Sequence, residues 1–550
     1  MGRLWVMTSA LVETLLFSGC LLGWNCLSPI LTEEGVMAKP CGPAIDSGRL
    51  HVWTNDSSQT GYASINSTDS PVSGAKDGEP PIDGGNSRGH PINSDKDKRP
   101  TIKIEKTLCS PQEQALNLGY TVGSVFLGCT FLPLQLLMEH VQLRSLRQIG
   151  GALVSVSFLM LTYSCTNPDS LSLFFPFALV GLGVGGSCIL FTSLMLPLFL
   201  KKTRSIYTSL VIASFIASST VFTIIKVIYN AGVRFVPLML VFGALSCMMF
   251  LNSFFCWDLD QTEGRNKKYS IALQINCYDA LQKRKPEEQP WCQKSLKHKF
   301  QDSLRDKERI LNRSKKMSFI KPESTGPPLQ HSLLSAPFIL HMISDCLLLS
   351  WLHFYILSLN LHLQSITENQ KTADFYSSLF GAFQMLGLFT APLISCLLQT
   401  PRNSQAGSEA SRTRCKSQSS IERLFVVYTL RIFAVIGFGV SCLVPSLGLQ
   451  VLGFVLHVLV RSSMFLVTFS LFNTFPERHY GALLGIYIFL SSLLTLSQHP
   501  LFLLLTGPLN RDPYWIHSAF FASSLSAISV PLTWCIKKRM LSRTPLPSRG

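Results

Sequence analysis

Long apolar stretches recur along the whole chain, separated by segments rich in Lys, Arg, Ser, Asn and Pro. A hydrocarbon core about 30 Å thick requires roughly 20 apolar residues of helix, because backbone polar groups in lipid must be hydrogen-bonded within the segment. The pattern predicts about twelve membrane-spanning helices, six on each side of a long hydrophilic break. The predicted spans are 5–30, 112–137, 149–165, 171–199, 206–228, 235–257, 335–359, 374–398, 424–445, 449–472, 481–505 and 514–536.

The first apolar stretch is interpreted as a retained span. Its apolar run is longer than that of a cleaved signal peptide, it contains Glu13, and it lacks a small-residue cleavage site. The predicted fold class is therefore an all-α polytopic membrane protein with twelve transmembrane helices.

The composition agrees with a membrane environment. The 550 residues are 47% hydrophobic and 15% charged, whereas soluble domains carry about a quarter charged residues. A formal net charge of +16 would favour nucleic acid in a soluble protein, but here Lys and Arg cluster between the apolar stretches. The positive charge is therefore attributed to the loops that set the membrane topology, and no nucleic-acid partner is expected.

Loop charge predicts the orientation, because Lys and Arg near span ends are retained on the cytoplasmic side. Both termini are predicted to be cytoplasmic, with an N-terminal six-helix bundle at 1–257, a cytoplasmic linker at 258–334 and a C-terminal six-helix bundle with a short tail at 335–550. The basic residues that share alternate loops with the linker are Arg144, Arg147, Lys201, Lys202, Arg204, Arg412, Arg414, Lys416, Lys537, Lys538 and Arg539.

The loop at about 32–110 is rich in Pro, Gly, Ser and Asp and is predicted to be extracellular. Asn55 and Asn66 each begin an Asn-X-Ser/Thr sequence, which predicts N-glycosylation. Cys41 and Cys109 bracket the segment and are predicted to form a disulfide in this oxidising compartment. The other cysteines lie mostly in apolar runs without metal-ligand spacing, so no metal or cofactor is predicted.

Ionisable residues inside the predicted spans are candidates for a transport pathway, because they are costly in a bilayer unless they face a cavity or a partner. Glu13 is suited to a substrate ammonium group or to a fixed interhelical ion pair. Arg461, near the centre of the tenth span, is suited to a substrate carboxylate or to a clamp between helices. Lys226 and Arg431 lie nearer to span ends and are expected to snorkel.

Uncharged side chains in the spans give further binding candidates. Gln384, Gln498 and Asn25 are suited either to hydrogen-bonding a polar head group or to joining helices. Trp24 and Tyr376 are candidates for an apolar side-chain pocket, or for lipid and packing contacts.

The seventh span carries an unusual polar set. His341 and Asp345 are four residues apart and share a helix face, and His353 lies two turns further on. A local hydrogen-bonded network is predicted, with a proton-linked step as the alternative. The glycine-rich run at 181–186 has no preceding strand, so it predicts close helix packing rather than a nucleotide loop.

Short motifs occur in most spans and stop at the two long loops. They are Glu13-Thr14-Leu15-Leu16-Phe17-Ser18, Leu22-Gly23-Trp24, Leu116-Asn117-Leu118, Thr121-Val122-Gly123-Ser124, Asn167-Pro168-Asp169-Ser170-Leu171-Ser172, Phe191-Thr192-Ser193-Leu194, Ile225-Lys226, Tyr229-Asn230-Ala231-Gly232-Val233, Thr390-Ala391-Pro392, Leu456-His457, Val460-Arg461, Gln498, Pro500-Leu501-Phe502, Gly507-Pro508-Leu509 and Asp512-Pro513. In these motifs the chain resembles solute carrier family 43 of the major facilitator superfamily, and especially its branch of large neutral amino acid transporters.

The resemblance implies two six-helix bundles that rock about a site near the bilayer midplane. It implies a plasma-membrane, sodium-independent, system L-like uniporter for branched-chain and aromatic neutral amino acids. Another branch of the same family resembles a purine nucleobase carrier, so the resemblance leaves both substrates open.

Departures from the superfamily pattern lie near the predicted pathway. The loop after the second helix usually carries an acidic residue and basic partners that latch one conformation, and Glu139, Arg144 and Arg147 are the candidate latch here. Gln142 stands where a Gly is expected, and the fifth helix reads Ile212-Ala213-Ser214. These changes leave a non-transporting membrane sensor or scaffold as an alternative. The chain has no nucleophile-elbow motif, and an enzyme is not predicted.

Overall fold

The computed structural model describes residues 2–38, 110–138, 140–196, 204–257, 329–367, 369–399, 409–528 and 531. Within these ranges the chain forms helices and no strand. Five predicted site residues lie outside the described residues, namely Cys41, Asn55, Asn66, Cys109 and Glu139.

The helices follow the predicted spans and are numbered here in chain order. The first six are α1 (Gly2–Glu13, Thr14–Ser18, Cys20–Gly23 and Trp24–Glu33), α2 (Ser110–Cys129 and Phe131–Leu137), α3 (Leu143–Thr166), α4 (Phe174–Met195), α5 (Arg204–Ala217, Ser218–Thr220 and Val221–Asn230) and α6 (Phe235–Cys256). The others are α7 (Ala336–Ile366), α8 (Gln370–Phe383, Gln384–Leu386 and Gly387–Leu398), α9 (Glu409–Leu443), α10 (Leu447–Phe472), α11 (Glu477–Leu494, Thr495–Ser497 and Gln498–Thr506) and α12 (Tyr514–Ser524 and Leu525–Ile528).

The number of spans agrees with the sequence prediction. Among the described residues, 10 helices are long and apolar enough to cross a membrane, and the two parts of α1, which meet at 42°, give an eleventh span if they are counted together. α12 starts where the twelfth span is predicted, and its predicted end lies beyond the described residues. The prediction of an all-helical multi-pass membrane protein is confirmed.

The bend in α1 has a local cause. The hydroxyls of Thr14 and Ser18 donate to the backbone carbonyls of Ala10 and Thr14, and such bonds compete with the regular helical ladder. Gly19 then lies so close to α5 that a Cβ atom there would be 2.5 Å from the carbonyl oxygen of Phe215. The bend and the missing side chain together let α1 pack directly on the α5 backbone.

Close helix packing extends through the first six helices. α3 packs against α4 and α6, and α2 packs against α4. A Cβ atom on Gly183 of α4 would lie 2.3 Å from the carbonyl oxygen of Gly123 of α2. The packing role predicted for the glycine-rich run is confirmed.

Contacts between the two sets of six helices run mainly through α2 with α11 and α5 with α8. α6 lies at the outside, where Val241, Met248 and Phe255 are exposed. Exposed apolar side chains on a spanning helix suit contact with lipid. The buried interior therefore lies between the two sets of helices and within each set.

Candidate functional site

A buried ion pair joins three helices of the first half. Arg147 of α3 donates from Nε to Glu13 Oε2 of α1 at 2.8 Å, and Asn252 of α6 donates to Glu13 Oε1 at 2.6 Å. Arg147 Nη1 also donates to the hydroxyls of Thr192 and Ser193 on α4, at 2.9 and 3.0 Å. Both oxygens of Glu13 are engaged, so of its two predicted roles the structure shows the interhelical ion pair.

A second buried ion pair lies in the other half. Arg431 of α9 donates to both oxygens of Asp345 on α7, from Nη1 at 3.3 Å. The hydroxyls of Tyr487 on α11 and Thr468 on α10 donate to Asp345 Oδ2 at 3.0 and 3.3 Å. His341 Nε2 lies 3.5 Å from the same oxygen. The predicted network around His341 and Asp345 is present, and the expectation that Arg431 snorkels is wrong because its partner is buried.

The two clusters repeat the same arrangement. In each half an acidic residue on the first helix pairs with an arginine on the third helix, and a threonine from the fourth helix hydrogen-bonds the pair. Such internal repeats are typical of secondary transporters whose halves are related by an axis along the membrane normal. The repetition indicates that each cluster stabilises its own half.

Arg461 of α10 is a third buried arginine, and its surroundings differ. Its side chain is 4% exposed, Nη1 donates to Gln384 Oε1 of α8 at 3.3 Å, and the guanidinium lies over the ring of Phe215 of α5, 5.3 Å from its centroid. Nη2 has no hydrogen-bond partner among the described residues. Arg461 therefore joins the two halves and retains an open donor.

Further unpaired polar atoms lie at the level of Arg461. The Tyr120 hydroxyl of α2 lies near Ser124 and Arg461, and Gln384 Nε2 has no partner among the described residues. The same is true of both amide atoms of Gln498. Helices α11 and α2 lie side by side, with Ser492 facing Gly128 and Thr506 contacting Gln114. Gln498 lies between Ser492 and Thr506 on α11, so this register places it level with Tyr120 of α2. Buried polar groups without partners are rare in proteins and favour a ligand site here.

Helix irregularities give these glutamines their positions. Gln384 begins the 3₁₀ turn Gln384–Leu386 in α8, and Gln498 directly follows the turn Thr495–Ser497 in α11. Pro500 has no N–H to donate to the carbonyl of Leu496, which explains the turn in α11. Interrupted helices at mid-membrane are a recurring feature of transporter substrate sites.

Aromatic rings complete the surroundings of Arg461. Trp24 stacks on Tyr120 with ring centroids 5.1 Å apart, and its Nε1 donates to Asn117 at 2.7 Å. Phe215 also contacts Phe465 edge to face at 5.7 Å, one turn along α10 from Arg461. Trp24 is thus placed beside Tyr120 at the edge of the polar site.

A cavity of about 490 Å³ opens at the predicted cytoplasmic end. It lies between the ends of helices from both halves, and its lining includes Gln135, Leu194, Thr208, Leu398, Phe469 and Tyr480. On α10, Phe469 lines the cavity, Phe465 lies one turn deeper, and Arg461 lies one turn beyond that. The pair of Phe215 and Phe465 therefore separates the cavity from Arg461.

Polar contacts join the halves at the opposite end. Pro29 removes the helical donor to the carbonyl of Asn25, and Asn360 Nδ2 of α7 donates to that carbonyl at 2.8 Å instead. Asn25 Nδ2 donates to the carbonyl of Ser377 of α8 at 2.8 Å. Asn25 therefore joins helices across the two halves.

Two ion pairs reinforce the same end. Lys226 Nζ of α5 lies 3.4 Å from Asp374 Oδ1 of α8, and Arg511 Nη2 lies 3.1 Å from Glu113 Oε2 of α2. Lys226 is 3% exposed, so the expectation that it snorkels is wrong. Its cross-half partner removes the need to reach the interface.

The structure separates the remaining predicted site residues. Tyr376 is half-buried near the end of α8 opposite to the cavity, where its ring meets Phe375. Arg144 donates to the carbonyl of Phe254 and lies over its ring, 5.4 Å from the centroid, whereas Arg147 is occupied by Glu13. The two arginines of the predicted latch therefore have different partners.

Four residues near the candidate site or at the opposite end are not predicted from the sequence. They are Tyr120, Phe215, Phe465 and Asp374. Tyr and Phe are common within spans, and their proximity to Arg461 depends on the packing between helices. Asp374 lies at the start of a predicted span and resembled an ordinary interfacial charge. No signal in the isolated sequence marks these four positions.

The fold and this polar site between two helical halves define a membrane carrier. The sequence profile described as Major Facilitator Superfamily matches residues 101–497, which is well over half of the chain. The chain belongs to the Major Facilitator Superfamily, and it is a multi-pass membrane transporter rather than an enzyme.

Individual relatives give a finer comparison. The chain is 28% identical to the human protein "Large neutral amino acids transporter small subunit 3", covering 96% of this chain and 92% of that protein, and 27% identical to its mouse counterpart over the same shares. It is 27% identical to the bovine "Equilibrative nucleobase transporter 1", covering 74% of this chain and 81% of that protein. These relatives confirm the resemblance to solute carrier family 43.

Solved structures with a similar fold include a D-xylose-proton symporter. It is 11% identical, with a TM-score of 0.48, and the match covers 96% of this chain and 97% of that chain. A bacterial homologue of the iron transporter ferroportin is 12% identical, with a TM-score of 0.45 and coverage of 78% and 92%.

Proposed function

We propose that this protein is a facilitative, sodium-independent uniporter of large neutral amino acids in the plasma membrane, with both termini in the cytoplasm. The observation that carries the proposal is Arg461, a buried cation with an open donor beside polar and aromatic side chains. A guanidinium binds a carboxylate through two parallel hydrogen bonds, which suits the carboxylate of an amino acid. The amino acid transporters among the relatives support the same substrate class.

The proposed mechanism is alternating access. The units 1–257 and 335–550 would move as two bodies connected by the linker 258–334. The cavity at one end and the polar contacts of Asn25 at the other are the arrangement expected of a carrier that opens towards the cytoplasm. Downhill transport then requires only the two orientations around one site.

A nucleobase carrier is the second candidate. Gln384 Nε2 and the amide of Gln498 have no partner among the described residues and are suited to the hydrogen-bonding edges of a purine, and the bovine nucleobase transporter is among the relatives. A purine base is uncharged at neutral pH, however, and would leave Arg461 without a counter-ion. Arg461 therefore favours the amino acid.

Uptake by the purified full-length chain in proteoliposomes tests this proposal. We expect saturable, sodium-independent uptake of radiolabelled leucine and phenylalanine, and none of adenine. Arg461→Gln removes charged hydrogen bonds to the carboxylate that contribute about 2–3 kcal/mol, so kcat/KM for leucine falls roughly 30-fold or more. The matched control is Arg234→Gln at an exposed position, which leaves uptake unchanged.

Two results would contradict the amino acid assignment. Uptake of adenine without leucine would assign the chain to the nucleobase branch. No uptake of any of the three substrates by well-folded protein would favour the sensor or scaffold.

A further inference from the structure

The three buried arginines of the described spans can be compared with one another. Arg147 and Arg431 each donate to a carboxylate, that of Glu13 and that of Asp345 respectively. Arg461 donates to one neutral amide, and it forms no ion pair with any described residue. A guanidinium stays protonated in proteins, so Arg461 is a buried cation without a carboxylate partner among the described residues and is suited to an anionic ligand.

The same part of the protein lacks a partner for a substrate ammonium group. Among the described residues, the two carboxylates buried within the spans are those of Glu13 and Asp345, and hydrogen-bond donors on neighbouring helices occupy both. The polar groups near Arg461 are neutral, and they include the Tyr120 hydroxyl and the open Nε2 of Gln384. The site therefore recognises a carboxylate by charge, and an amino group only by neutral hydrogen-bond acceptors.

His457 contributes another neutral group. It lies one turn before Arg461 on α10, is fully buried, and has the backbone of Leu352 as its polar neighbour. Its ring packs against Tyr355, Phe380 and Phe438 at centroid distances of 5.7, 5.1 and 5.8 Å. Protonation here would place a second positive charge beside Arg461, so the imidazole supplies a neutral acceptor or donor and no negative charge.

We propose that this site also carries monocarboxylates that lack the amino group, with branched-chain 2-oxo acids as the class that fits. This inference rests on the proposed function, because Arg461 must hold the carboxylate in both cases. The keto oxygen accepts from Gln384 Nε2, which is an open donor among the described residues. The branched apolar chain is the same as in the amino acid, so it fits the same aromatic surroundings near Trp24.

The two substrate classes differ in the charge that they carry. Leucine is a zwitterion with no net charge at neutral pH, whereas its 2-oxo acid carries one negative charge. Uniport of leucine therefore moves no net charge, and uniport of the 2-oxo acid moves one charge in each cycle. Membrane potential distinguishes the two processes.

The test uses the full-length chain in proteoliposomes with a potassium-valinomycin potential. Radiolabelled leucine and 4-methyl-2-oxopentanoate are both expected to enter with saturation and to compete with each other. An inside-positive potential of about 59 mV raises the final accumulation of the 2-oxo acid about tenfold and leaves that of leucine unchanged. Arg461→Gln lowers the initial uptake of both substrates at least tenfold, and Arg234→Gln lowers neither.

The possible failures are distinguishable. Leucine uptake without 2-oxo acid uptake overturns this inference and leaves the proposed function standing, whereas uptake of neither substrate overturns both. If the final accumulation of the 2-oxo acid does not change with the membrane potential, uniport of the anion is overturned. Uptake of the 2-oxo acid that persists in Arg461→Gln overturns the assignment of Arg461.

Discussion

Three helices meet at the side chain of Glu13. Its carboxylate accepts hydrogen bonds from Arg147 on α3 and Asn252 on α6, so a residue that was a candidate for substrate binding holds the first half together. Arg461 has the opposite character, because its contacts lie on helices of both halves and one donor stays open. The presence of a charge within a span does not distinguish a structural role from a binding role. The partner of each charge in the structure does distinguish them.

Glu13→Gln is expected to destabilise the protein without changing substrate affinity. The substitution leaves Arg147 buried without a counter-ion, and removing one partner of a buried pair costs about 3–5 kcal/mol. Thermal unfolding of the purified protein should show a lower Tm, while KM for leucine of the remaining folded protein stays the same. In the double variant Glu13→Gln/Arg147→Gln, part of the lost stability should return. An altered KM for leucine at an unchanged Tm would instead indicate that Glu13 binds the substrate.

At the scale of elements, the contact between α5 and α10 lies across the route from the cavity to Arg461. Phe215 and Phe465 meet edge to face at 5.7 Å, and Leu466 and Phe469 of α10 line the cavity next to this pair. On the proposed route, a substrate bound at Arg461 would displace this pair when it leaves towards the cavity. Two packed rings of this kind contribute about 0.5–1.5 kcal/mol beyond their burial, which is small enough to open during turnover.

Phe465→Ala is expected to expose the Arg461 level to the cavity. Arg461→Cys provides the probe, since its thiol should react several-fold faster with a membrane-impermeant thiol reagent from the cavity side when Phe465 is also Ala. The matched control is Phe469→Ala, which changes the same residue type one turn nearer to the cavity and should not alter the reaction rate. Equal rates with and without Phe465 would show that the pair is no barrier.

The sequence was sufficient for the elements and for part of the site. Span length depends on the thickness of the hydrocarbon core, so apolar run lengths predicted the helices, including those with internal breaks. Arg461, Gln384 and Gln498 were found because polar residues are rare in spans. Phe215 and Tyr120 were missed because aromatic residues are common there, and only the packing of α2 and α5 brings them to Arg461.

On the scale of the whole molecule, contacts between the two halves close the end opposite to the cavity. Lys226 and Asp374 connect α5 to α8 there, and Cys26 is fully buried beside them, 3.4 Å from the hydroxyl of Thr223 and 3.8 Å from the carbonyl of Ser377. Asp374 is 40% exposed, and partly exposed ion pairs contribute at most about 1 kcal/mol. If this pair contributes that upper value, its loss should shift the equilibrium about fivefold towards opening of this end.

Asp374→Asn is therefore expected to expose Cys26 from the outside. Labelling by a membrane-impermeant thiol reagent on intact cells should rise about fivefold, and Cys26→Ser identifies the signal from this thiol. The charge-swapped variant Lys226→Asp/Asp374→Lys keeps the pair and should restore protection. Labelling that is equal in all these variants would show that the ion pair does not hold the outer end closed.

The repeated acid–arginine clusters have a consequence for the energy of turnover. Each fully buried ion pair, Glu13 with Arg147 and Asp345 with Arg431, lies within one half, whereas the ion pairs described between the halves each include a partly exposed partner. In the proposed alternating-access cycle, rocking of the halves would break contacts that water readily replaces and leave the costly ones intact. Such a cycle would run at thermal energies without an external energy source, as a carrier driven only by its substrate gradient requires.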